Sequence, residues 1–139
     1  MTQSTSLSSI VDRLTTAKVA VVGDVMLDRF VEGIIERISP EAPIPVITVR
    51  SEESMLGAAG NVLRNLSALG ASGTLWAAIG DDAPGAEVAG MLATVANCDA
   101  SLQTINGRQT AIKTRYIASG QQMIRADRET IEDIPQECQ

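Results

Sequence analysis

The chain has 139 residues, 45% of them hydrophobic, a formal net charge of −6, and one each of Trp, Tyr and Phe. That length and apolar content fit one globular domain with an aliphatic, alanine-rich core and exclude a disordered chain. The acidic balance gives no broad attraction for nucleic acid or an anionic membrane, and the lack of His removes imidazole as base or metal ligand.

Residues 1–17 read as a leader. Leu7, Ile10, Val11 and Leu14 fall on one helical face, with Ser6 a candidate N-cap, which predicts a short helix docking ahead of the domain. The leader lacks the basic start and long apolar core of a signal peptide, and no run approaches the ~18 apolar residues of a membrane span. A cytoplasmic location is therefore expected. Cys98 and Cys138 lack a metal-ligand pattern and are expected to be free thiols of a reducing compartment. Lys18 to Val22 is a β-branched run ending at Gly23-Asp24, predicted as a central parallel strand buried on both faces. Ligands in open α/β sheets bind past the carboxyl ends of such strands. Asp24 and Asp28 lie there, either as acceptors for sugar hydroxyls or as solvated turn residues.

Phe30 to Ile38 fits a strand, and Val46 to Val49 a second. The three prolines between Ser39 and Pro45 cannot sit in a regular ladder, so the pair reads as a hairpin-like excursion off the main sheet. Ser51 to Ser54 reads as a polar linker. The small-residue run Gly57-Ala58-Ala59-Gly60 then enters a helix carrying Asn61, with Val62, Leu66 and Leu69 at helical spacing and Gly70 as its cap. Such a start either lets an oxygen-rich ligand approach the unpaired backbone N–H groups or only allows tight helix–sheet packing. Thr74 to Ile79 reads as a buried strand. Asp82 or Ala83 caps a further helix, with Pro84 at its first position and its end near Asn97. Leu102 to Ile105 is a short strand and Asn106-Gly107 a tight turn. Thr110 to Ala118 and Gln122 to Asp127 form a hairpin about Ser119-Gly120. Lys113 and Arg115 share a strand face, and with Arg125 they are the clustered cations on predicted strands. Two cations on one face suit a phosphate, or equally keep an edge strand soluble. Residues 129–139 read as a polar tail, with its end, Pro135 to Gln139, frayed.

Three motifs, in order, carry a family resemblance. Asn61, Gly70 and Gly80 at their spacings resemble the N-terminal signature of the PfkB (ribokinase-like) carbohydrate kinases, and Val21 to Phe30 fits the same family. Arg37 to Val46 closely resembles the heptose 7-phosphate kinases that make the ADP-heptose precursor of lipopolysaccharide. Ala58 stands where the family usually has a second glycine, and Leu63 where it prefers Ser, Thr or Ala. The resemblance implies an α/β, ribokinase-like three-layer fold with a small β lid, of which residues 18–128 are the N-terminal portion only, with lid strands about 30–50 and 108–127. It implies Asp28 as the sugar-hydroxyl ligand, and Gly57, Ala58, Asn61, Lys113, Arg115 and Arg125 as further substrate-binding positions. It also implies a sugar-phosphate substrate, ATP and magnesium in the complete enzyme, and a homodimer through the lid; neither a nucleic acid nor a membrane is expected as partner.

The family's Gly-Ala-Gly-Asp loop and Asn-x-x-Glu motif do not occur here, nor does a GxxxxGK[ST] loop. No catalytic residue or metal ligand is therefore assigned, and the chain is expected to be inactive alone. The alternatives are a non-catalytic sugar-phosphate-binding or dimerising remnant, or another PfkB sugar kinase. A Rossmann dehydrogenase fits poorly, because Gly23-Asp24-Val25-Met26 is not GxGxxG. A sheet lacking its later strands would expose an apolar edge and face, so poor solubility or association is expected.

Overall fold

The computed structural model describes residues 7–136. A short helix α1 (Leu7–Asp12) and a 3-10 turn (Arg13–Thr16) lead into strand β1 (Lys18–Val22). Then follow β2 (Val25–Ile38), β3 (Pro45–Ala58), α2 (Ala59–Ala68), β4 (Ser72–Gly80), α3 (Ala83–Leu92), β5 (Cys98–Ile105), β6 (Ala111–Ala118) and β7 (Gln121–Arg128). The strands make two sheets. One is parallel, in the order β1-β4-β5; the other is mixed, in the order β3-β2-β6-β7. In the second, β2 runs parallel to β6 and antiparallel to β3. The core lies between the sheets and the two longer helices, where Leu27, Leu56, Leu63, Leu75, Val88 and Ile112 are buried together.

One end of each longer helix is set by local chemistry. Helix α2 closes in a Schellman arrangement: Gly70 has φ +79°, its N–H donates to Ser67 O (2.9 Å), and Ala71 N–H donates to Leu66 O (3.0 Å). Helix α3 is capped by Asp82, whose Oδ1 accepts from Gly85 N–H at 2.9 Å, and Pro84 is its second residue rather than its first. The same carboxylate ties the two sheets together. Its Oδ1 accepts from the Thr110 hydroxyl (2.6 Å) and its Oδ2 from Thr110 N–H (2.9 Å), while that hydroxyl accepts from Gly80 N–H (2.8 Å). Thr110 is only 2% exposed, so these bonds have no solvent substitute. A Cβ on Gly80 would run into the Arg108 carbonyl, which is why the crossing needs glycine there.

Several expectations are corrected. β1 is not buried on both faces; it is an edge strand of alternating exposure, because nothing covers its second side among the described residues. Ser51 to Ser54 is no linker but part of β3, a sheet-edge strand where polar side chains are tolerated and where Ser54 and Glu52 both reach Arg29. Helix α3 stops at Leu92, not near Asn97, and β5 begins at Cys98, four residues before the expected strand. The leader helix forms but leaves Leu7 and Val11 exposed, so its apolar face is not docked. The first part of the polar tail is tied back to the domain: Thr130 Oγ1 accepts from Gln109 N–H (2.8 Å), and Arg108 donates to the carbonyls of Glu132 (3.0 Å) and Thr130 (3.4 Å). The expected cap Ser6, and Cys138, lie outside the described residues. Cys98 is a half-buried free thiol.

Ala58 precedes α2 with φ +48° and ψ −125°, backbone that favours glycine. Such strain costs on the order of 1–3 kcal/mol, while glycine loosens the unfolded chain by about 0.4–1 kcal/mol. Ala58→Gly is therefore expected to stabilise the fold by about 1 kcal/mol, read as a higher urea midpoint at unchanged slope; an unchanged or lower midpoint would show the strain to be absent.

Burial alone would raise the Asp82 pKa, but hydrogen bonds from the Thr110 hydroxyl, Thr110 N–H and Gly85 N–H, with the charge of Arg128, outweigh it and hold the carboxyl below its usual value. A depressed folded value means the stabilisation is complete above the unfolded pKa of about 3.9 and is lost as pH falls through the lower folded value. Denaturation midpoints should fall below about pH 4, and less steeply in Asp82→Asn. Thr110→Val, which strips Gly80 N–H of its acceptor, should cost about 1–3 kcal/mol at neutral pH.

Candidate functional site

Strand β2 alternates between two environments. Val25, Leu27 and Val31 are buried in the core, and Met26, Asp28 and Phe30 point to the opposite side of the sheet. The register sets the neighbours of that outer side. Asp28 lies beside Lys113 and Met55, Phe30 beside Arg115, and Met26 beside Gly57. On the next strand Lys113 faces Asp127 and Arg115 faces Arg125. Asp28, Lys113, Arg115 and Arg125 are thus brought onto one face of the four-stranded sheet.

The Arg115 Nη1 donates to Asp28 Oδ1 at 2.5 Å, and both side chains are largely covered, at 23% and 18% exposure. Its guanidinium carbon lies 5.2 Å from the centroid of the Phe30 ring, which holds the cation from one side. Gly57 makes room for the carboxylate: a Cβ there would lie 2.5 Å from Asp28 Oδ2 and 2.7 Å from Met26 Cγ. Lys113 Nζ lies 3.2 Å from Asp127 Oδ2 and 3.7 Å from Glu129 Oε2, and Arg125 Nε donates to Asp127 Oδ1 at 2.9 Å. Desolvation pushes the Asp127 pKa up, but the hydrogen bonds and charges of Lys113 and Arg125 outweigh it and hold the carboxyl low. Each of the three cations therefore already has a carboxylate partner. Sequence reasoning missed Phe30, Asp127 and Glu129; the available signal was Asp127 two residues after Arg125 on one strand, hence on the same face.

The helix start contributes differently. Ala58 and Asn61 are both exposed, Asn61 on the first turn of α2, and Ala59 N–H donates to Asp24 O at 3.0 Å. Asp24 lines a cleft of about 570 Å³ past the carboxyl ends of β1 and β4, with Met26, Arg108, Thr110 and the returning tail. Among the described residues no group of three or more Asp, Glu or Cys is placed to hold a metal ion. No helix of the described residues is long and apolar enough to cross a membrane.

The chain is similar to known proteins along most of its length. It is 52% identical over 126 residues to the bifunctional protein HldE of Rhodospirillum rubrum, covering 91% of this chain and 25% of that protein. It is 50% identical over 130 residues to the protein of the same name from Paramagnetospirillum magneticum, covering 94% and 27%. The chain thus spans about a quarter of the curated relatives it matches. A carbohydrate kinase from Agrobacterium tumefaciens, a solved structure, superposes with a TM-score of 0.64 at 28% identity, covering 81% of this chain and 36% of that one. The fold is accordingly ribokinase-like α/β, present here in part. The model of the pfkB family of carbohydrate kinases matches residues 16–139, and the chain belongs to that family.

Proposed function

We propose that the chain is the sugar-binding N-terminal portion of an ATP-dependent heptose 7-phosphate 1-kinase, acting in the supply of ADP-heptose for lipopolysaccharide, in the cytoplasm. The observation that carries this reading is the Asp28–Arg115 pair beside Gly57, with Lys113 on the same face. A carboxylate accepts hydrogen bonds from sugar hydroxyls, and a planar guanidinium matches a phosphate bidentately. Arg115 then exchanges the Asp28 carboxylate for the sugar's phosphate, which frees Asp28 for hydroxyls. Lys113 and Arg125 add positive charge along the same strip, while Gly57, Ala58 and Asn61 border it from the helix start. The similarity to the two HldE proteins supports heptose over other sugars of the family. Transfer of the phosphoryl group needs ATP, magnesium and a base on the attacking hydroxyl, and we assign none of these to residues of this chain. The exposed Ile38, Ile44 and Val49 at the far end of the β2–β3 hairpin favour a homodimer through the lid.

Calorimetric titration of the purified chain with D-glycero-D-manno-heptose 7-phosphate should give saturable binding. Asp28→Asn and Arg115→Ala should each weaken it by about 10- to 100-fold, the equivalent of one charge-assisted hydrogen bond. Arg115→Ala should leave binding of the unphosphorylated heptose unchanged; equal losses for both sugars would sink its assignment to the phosphate. No heptose-dependent ATP turnover is expected from the chain alone, and measurable turnover would refute the division of labour.

A further inference from the structure

Strands β6 and β7 place two arginines directly opposite each other: Arg115 and Arg125 are paired in register. Like charges directly opposite across a sheet destabilise it, so the pair needs anions around it. Two carboxylates supply them. Asp28 takes Arg115 from the β2 side. On the β7 side Asp127 spans two cations with its two oxygens. Its Oδ1 accepts from Arg125 Nε at 2.9 Å, and its Oδ2 accepts from Lys113 Nζ at 3.2 Å. Two oxygens of one phosphate would take the same two groups in the same way. The two carboxylates are not equally fixed. Asp28 stands on β2, between β3 and β6, next to the fully buried Leu27. Asp127 stands on β7, the outer strand of the sheet, all of whose residues are exposed. Turning the Asp127 side chain away therefore disturbs no packed core.

We infer that Asp127 is an internal stand-in for a ligand's phosphate: its carboxylate holds Lys113 and Arg125 until a phosphate monoester displaces it, and that exchange selects phosphorylated over unphosphorylated ligands. The class of ligand rests on the sugar-phosphate reading above. The charges on the strip explain why an exchange is needed and simple addition does not suffice. Lys113, Arg115 and Arg125 face Asp28, Asp127 and, 3.7 Å from Lys113, Glu129. The strip is neutral as it stands, so an added dianion would meet as many carboxylates as cations. Once Asp127 turns out, the cations are in excess. A phosphate monoester carries roughly two negative charges at neutral pH, against one for the carboxylate it replaces. A ligand with no phosphate gains nothing from the exchange and leaves Asp127 in place.

Calorimetric titration of the chain and of its Asp127→Asn variant with inorganic phosphate, heptose 7-phosphate and unphosphorylated heptose tests this. Asparagine keeps the shape and removes the charge. Asp127→Asn should tighten both phosphate-bearing probes by about 10-fold, because one competing charge is gone, and leave unphosphorylated heptose unchanged. Asp127→Glu should return the affinities to near those of the unaltered chain. A residue that only orients Lys113 and Arg125 would give the opposite sign, so weaker or unchanged phosphate binding in Asp127→Asn overturns the proposal. A second measurement needs no variant. In the isotope-labelled chain the Asp127 carboxyl carbon resonance should move as heptose 7-phosphate is added and stay in place with unphosphorylated heptose; a resonance unmoved at saturating sugar phosphate overturns the proposal equally. The two readings fail separately. Tighter inorganic phosphate in Asp127→Asn, with no added affinity from the sugar part, sinks the sugar site and leaves the exchange. Saturable sugar-phosphate binding that Asp127→Asn does not tighten sinks the exchange and leaves the sugar site. No binding of either phosphate probe to either chain overturns the exchange.

Discussion

The Asp82 carboxylate is the point on which both sheets converge. It ends the connection after β4, starts α3, and takes two hydrogen bonds from Thr110 at the entrance to β6. An uncharged side chain could cap the helix nearly as well. It could not accept from three donors at once with the strength of a charged acceptor. The arrangement fixes where β6 begins, and hence which residue of β6 meets each residue of β2. Since strand side chains repeat every second residue, a slip of one position would send Lys113 and Arg115 to the core side and Ile112 to solvent.

Strand β2 carries the consequence outward. Leu27 is fully buried and Asp28, the next residue, faces the opposite side. The residue proposed to bind the sugar is thus anchored through its neighbour's packing rather than through a loop. Arg29 adds a second anchor, reaching Glu87 of α3 at 3.1 Å and Glu52 of β3 at 3.2 Å. Those partly exposed pairs contribute little stability individually, but they orient the lid strands against the helix layer.

What was legible in the sequence followed from local chemistry. Gly70 as a helix stop, Asp82 as a cap, and Lys113 and Arg115 on one face each depend on a few adjacent residues. The errors arose where tertiary context decides. Ser51 to Ser54 looked like a linker because polarity without alternation resembles a loop, yet a sheet edge beside Arg29 accepts it. The Lys18–Val22 run looked doubly buried because its apolar content suits the middle of a large sheet; here that sheet is three strands wide. The Asp28–Arg115 ion pair was also hidden, because its two residues are 87 apart in sequence.

That separation also governs the order in which the molecule can assemble. The β2–β3 hairpin closes over a short loop, but the parallel pairing of Met26–Gly33 with Ala111–Ala118 must wait for the later strand. Long-range parallel pairing is intrinsically slow, and an unpaired strand edge invites wrong partners meanwhile. During synthesis, β2 therefore emerges with one side satisfied and the other open. Its carboxylate meets Arg115 only after more than eighty further residues have left the ribosome, so the candidate site cannot form before β6 has emerged.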